Sequence, residues 1–79
     1  MDRTRYQQYL TQYITAAIRE SDGSSRGIAE YLATLQVKGR FVVHREERQR
    51  ALADAQEAFD EHRHWPLEIT LRHLGVTPE

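Results

Sequence analysis

Residues 6–18 read Tyr-Gln-Gln-Tyr-Leu-Thr-Gln-Tyr-Ile-Thr-Ala-Ala-Ile, thirteen positions without a formal charge in a chain of which 29% is charged. Tyr6, Leu10, Tyr13, Ile14, Ala17 and Ile18 recur at i, i+4, i+7, i+8, i+11 and i+12, the spacing of one helix face, and Tyr9 sits at its edge. Gln8, Thr11, Gln12 and Thr15 form the other side, polar but neutral. This pattern predicts a helix over about 4–20, with Asp2 to Thr4 at its start and Thr4 as the candidate N-cap.

The stretch Ser21-Asp22-Gly23-Ser24-Ser25-Arg26-Gly27 concentrates turn formers and ends that helix. A second one, about 26–36, follows with Ile28, Tyr31, Leu32 and Leu35 on one face and Ser25 as a cap, packing as an antiparallel pair with the first. Residues 37–43, Val-Lys-Gly-Arg-Phe-Val-Val, are β-branched and aromatic around a Lys-Gly pair and read as a short strand or tight hairpin. From 44 to 62 the composition turns to Glu, Arg, Gln and Ala, strong helix formers, with Ala51, Leu52, Ala55, Ala58 and Phe59 as the apolar stripe. Arg48 lies on that stripe, which predicts a packed stem and a head reaching out to solvent.

The C-terminal stretch supports two readings. Leu67, Ile69 and Leu71 alternate with Glu68, Thr70 and Arg72 as in a half-buried strand over 67–72. Yet Pro66 suits a helix N1 and Gly75-Val76 a Schellman stop, which favours a helix over 66–74. The expected architecture is a mainly α, compact three- to four-helix single domain spanning 1–79.

Leu, Ile, Val and Phe number 17 of 79 residues, enough for a thin core and no more. The absence of cysteine removes disulfides and thiolate metal sites. No apolar run approaches the roughly 18 residues that span a bilayer, and the N-terminus lacks the basic-then-apolar layout of a signal peptide, so no membrane partner is expected and the expected compartment is the cytoplasm. With 11 Lys and Arg against 12 Asp and Glu, any electrostatic recognition must be local.

Gly23-Ser24-Ser25-Arg26-Gly27 matches G-x-S-x-G, the nucleophile elbow of serine hydrolases. That chemistry needs a strand-to-helix turn on a large parallel sheet, whereas a helix precedes this one, so the five residues read as an interhelix turn. His62, His64 and His73, with Asp60 and Glu61 close by, are metal-ligating residue types, but they show no zinc-site spacing and sit at a helix end beside Pro66. No catalytic residue, cofactor or metal is therefore assigned, and the chain is expected not to be an enzyme.

Charge is better ordered. Lys38, Arg40, Arg45, Arg48 and Arg50 gather at or before the first half of the third helix, and Asp54, Glu57, Asp60 and Glu61 in its second half. The helix dipole favours the reverse, so either a solvated ion-paired face, including Arg50 with Asp54, or a partner accounts for it. Lys38, Arg40, Arg45 and Arg48, with Tyr6, Tyr9 and Tyr13 on a first-helix face too wide for so thin a core, are the expected partner-binding set. The functional expectation is a small stoichiometric regulator or inhibitor of a larger complex, by class-level analogy with phage and mobile-element proteins of the anti-CRISPR kind, with a homodimer through the first helix as a further expectation. A DNA-binding regulator using the Arg45 end on phosphates is the alternative, and a histidine-based metal-binding protein the third.

Overall fold

The computed structural model describes residues 1–38 and 41–77, Lys38 by its backbone alone. Four helices follow one another: α1 Arg3–Glu20, α2 Ser25–Lys38, α3 Arg45–Glu61 and α4 Leu67–Leu74. Among the described residues there is no strand, and no helix is long and apolar enough to cross a membrane.

Helix α1 is capped by Asp2 rather than Thr4. The Asp2 carboxylate accepts from the backbone N–H of Thr4 at 2.9 Å and of Arg5 at 3.1 Å, meeting two of the donors that a helix start leaves free. These hydrogen bonds, that from Arg5 foremost, hold the carboxyl below its ordinary pKa. Leu10, Tyr13, Ile14 and Ala17 form the buried stripe. At the far end Gly23 adopts a left-handed φ of +83°, which a side chain would resist, and turns the chain into α2. The cap of α2 is Ser24, not Ser25: its Oγ accepts from the Gly27 N–H at 3.0 Å while donating to Asp22 at 2.6 Å.

Helix α2 buries Ile28 and Leu32 and continues through Val37 to Lys38, beyond the expected boundary. The strand or hairpin expected at 37–43 is thereby corrected where the chain is described. Val37 and Lys38 are helical, Phe41 to His44 are irregular, and residues 39 and 40 lie outside the described part. β-branched composition favours a strand only where a neighbouring strand can pack beside it, and the described residues contain none.

Helix α3 occupies the middle, in contact with each of the other three. Ala51, Leu52, Ala55 and Phe59 are fully buried, and the small alanines let neighbouring backbones approach closely. Tyr6 meets Asp54 while Tyr13 meets Arg48, so α1 and α3 run antiparallel.

Helix α4 corrects the strand alternative for 67–72. Leu67, Leu71 and Leu74, at i, i+4 and i+7, pack on the core, while Ile69 is 40% exposed; helical periodicity prevails over alternation. Pro66 takes the cap position, one residue before the expected N1. Gly75 is left-handed at φ +72°, and the Val76 N–H reaches the Leu71 carbonyl at 2.9 Å, closing the expected Schellman stop with Val76 buried beneath it.

Candidate functional site

The corner between α2 and α3 collects the residues of greatest interest. Helix α3 is preceded by His44 at the cap position, a non-glycine residue in the left-handed region at φ 55°, and its side chain makes no cap hydrogen bond to the helix. Instead its Nδ1 shares a 2.7 Å hydrogen bond with the Tyr9 hydroxyl. Backbone strain of this sort costs roughly 1–3 kcal/mol and persists only where surrounding contacts fix it.

Those contacts come from two arginines. Arg45 donates from Nε to the Phe41 carbonyl at 3.1 Å, and Arg48 donates from Nε to the Val43 carbonyl at 2.8 Å. Arg48 also donates from Nη1 to the Tyr13 hydroxyl at 3.2 Å, and its guanidinium lies 4.3 Å from the Tyr9 ring centre. Partial desolvation is the largest single influence and works against its charge, but the hydrogen bonds and electrostatic attraction of Tyr13 and Tyr9 together outweigh it and hold the Arg48 pKa above its ordinary value. The head of Arg48 thus emerges at the surface, as its position in the stripe implies, but does not extend freely into solvent. It folds back along the surface, because the Val43 carbonyl and two tyrosines converge on it.

Phe41 packs against Tyr13 at 6.4 Å between ring centres. The segment 41–44 is thus held from below by Tyr9, Tyr13, Arg45 and Arg48, and it turns Val42 and Val43 outward, 87% and 56% exposed. Val37, 86% exposed, lies at the end of α2 entering the same connection. Three of the five large apolar side chains that stand exposed among the described residues flank this one corner.

Of the expected partner-binding residues, Tyr9, Tyr13, Arg45 and Arg48 come together here. Tyr13 is a core residue at 8% exposure, and Tyr9 is half-buried with its hydroxyl engaged, so both face the molecule's own interior. Tyr6 lies one turn before Tyr9 and two before Tyr13, donating to Asp54 Oδ2 at 2.6 Å; burial, with that hydrogen bond, pushes its phenol up to about 12. Lys38 closes α2, and Arg40 lies outside the described residues. Sequence reading missed Val37, Val42, Val43 and His44 as site residues. The valines were visible as an apolar run but were assigned to a strand.

At the opposite end of α3, Asp54, Glu57 and Glu61 line a polar groove with Arg3, His62 and His73. Arg50 and Asp54 do form the expected i, i+4 ion pair at 3.8 Å, while Glu47 is buried with Arg5 3.9 Å away. His62 stacks on Trp65 with ring centres 3.7 Å apart, and His73 meets His62 edge-on at 5.4 Å. Among the described residues no three His, Asp or Glu side chains are grouped to hold a metal ion. Ser25 of the G-x-S-x-G stretch is buried at the first position of α2, on a helix-to-helix turn rather than a strand-to-helix one.

In comparison with known proteins, no family matches the chain, and no curated protein or solved structure matches it either.

Proposed function

We propose that the protein acts by binding, as a small stoichiometric regulator or inhibitor that docks on a larger protein complex through its α2–α3 corner. One observation carries this reading: Val42 and Val43 stand 87% and 56% exposed on a segment clasped from beneath by Arg45 and Arg48. A segment that kept its valines in water by mere looseness would need no such clasp. A pre-fixed apolar tip loses little conformational entropy on binding, which is how a small surface gains affinity. Inhibitors of the phage and mobile-element kind are the model for a chain of this size acting this way.

The test is affinity capture of the tagged chain from its cell of origin, with recovered proteins quantified. A large complex recovered in fixed stoichiometry, and lost on joint Val42→Asp and Val43→Asp substitution, supports the reading. Recovery that is insensitive to those substitutions sinks it.

A further inference from the structure

We infer that α4 is a detachable cover: it lifts from α3 as a unit, unwinding as it goes, while α1, α2 and α3 stay folded together. The inference is independent of the docking corner, whose segment 41–44 is held by α1 and α3.

The first three helices are tied to one another by polar side chains. Tyr6 donates to Asp54 and Arg48 to Tyr13 between α1 and α3, and Gln36 donates to Gln56 between α2 and α3. Among the described residues no side-chain hydrogen bond or ion pair joins Leu67–Leu74 to any of them. The nearest tie is one exposed bond, from Gln7 Nε2 to the carbonyl of Gly75 at 3.0 Å, just past the helix. His73 adds only edge-on ring contacts, 5.4 Å from His62 and 5.6 Å from Trp65 between centres.

The grip of α4 is therefore apolar, and it is small. Leu71 and Val76 are buried, but Leu67 and Leu74 are only half-buried and Ile69 is exposed. Thr70 works against that grip, being fully buried with no partner for its Oγ1 among the described residues. Its hydroxyl regains hydrogen bonds, to water, when the helix lifts. Eight residues make no stable helix in water, so α4 loses its backbone hydrogen bonds on leaving. What it uncovers is α3 beside Ala58, which lines one groove with Leu74. Two other behaviours are distinguishable from this one. Fraying of the chain end would free Val76 first, and a fully cooperative bundle would release α4 only with everything else.

Native-state hydrogen exchange on the full ¹⁵N-labelled chain is the test. The amides of Leu71, His73 and Val76 should share one protection factor, roughly tenfold or more below those of Ile14, Leu32 and Leu52. Thr70→Val should raise the α4 factors roughly fivefold. Ile28 lies just past the α1–α2 turn, at the opposite end of α1 from Gln7 and Gly75. Ile28→Val should lower protection at Ile14, Leu32 and Leu52 roughly fivefold and leave α4 where it is. Equal protection across the four helices, protection that falls in steps from Leu71 to Val76, or an α4 that follows Ile28→Val as the core does overturns the inference. So do α4 factors unmoved by Thr70→Val.

Discussion

Arg48 donates from its Nε to the carbonyl of Val43, five residues earlier, at 2.8 Å, and this bond ties the first turn of α3 to the segment that leads into it. Because the same guanidinium reaches Tyr13 and covers Tyr9, one side chain fastens a connecting segment to α1 and α3 at once. Replacing Arg48 by Ala should cost about 2 kcal/mol, from two lost hydrogen bonds and the stacking contact. Arg48→Lys should recover less than half, since an ammonium lacks the fork that serves a carbonyl and a hydroxyl together. Urea unfolding of the three proteins decides this, and a loss under about 0.5 kcal/mol for the alanine variant would show the clasp to be incidental.

Val42→Ser and Val43→Ser should leave unfolding free energy within about 0.5 kcal/mol of the parent, because the side chains they remove are largely in solvent. A larger loss would mean that the valines pack within the chain, contrary to the docking assignment. Set beside the Arg48 result, this separates the contact surface from its support.

Tyr6 links stability to pH in a predictable direction. Its phenol is pushed up to about 12 by burial and by the hydrogen bond it donates to Asp54, so the folded state holds the proton more tightly than the unfolded chain, whose tyrosine titrates near 10. The contribution is complete below about pH 10 and is lost as pH rises through about 12. Tyr6 is only half-buried, so solvent screening reduces it to about 1 kcal/mol. Tyr6→Phe should lower stability by that amount at neutral pH and flatten the alkaline decline relative to the parent. Parallel stability curves for the two proteins across the alkaline range would contradict this account.

Thr70 is fully buried on α4, and its Oγ1 has no hydrogen-bond partner among the described residues. Thr70→Val keeps the shape and removes the orphaned hydroxyl, so it should raise stability by about 1 kcal/mol. A thermal midpoint that fails to rise would place an unseen partner on that oxygen. Just past the C-terminus of the same helix, Gly75→Ala should cost about 1 kcal/mol, because φ +72° is disfavoured for any residue with a Cβ.

Most of the fold was legible because its signals are local and repeat. The stripe Leu10, Ile14, Ala17 and the stripe Leu52, Ala55, Phe59 each declare a buried face at helical spacing, and Pro66 and Gly75 bracket α4 closely enough to overrule its alternating pattern. Residues 41–44 were not legible, since Phe41-Val42-Val43 has strand composition and only a missing partner strand decides against one. The site was harder still. Whether the Arg48 head extends or folds back depends on where the carbonyl of Val43 lies, and that depends on a left-handed His44, a conformation histidine adopts more readily than most residues but does not announce by itself. The tyrosine stripe was read correctly as one face of α1, but the hydroxyl partners at Asp54, His44 and Arg48 are 35 to 48 residues away and leave no mark in the sequence.

The stack of His62 on Trp65 gives the molecule an intrinsic optical probe. Trp65 is the only tryptophan, and it sits at the α3–α4 joint, about 24 Å along α3 from the valine corner. Its emission will follow detachment of α4 from the bundle and stay silent to a ligand that occupies the corner alone. One unlabelled sample can thus distinguish a partner that merely docks from one that also loosens the far end.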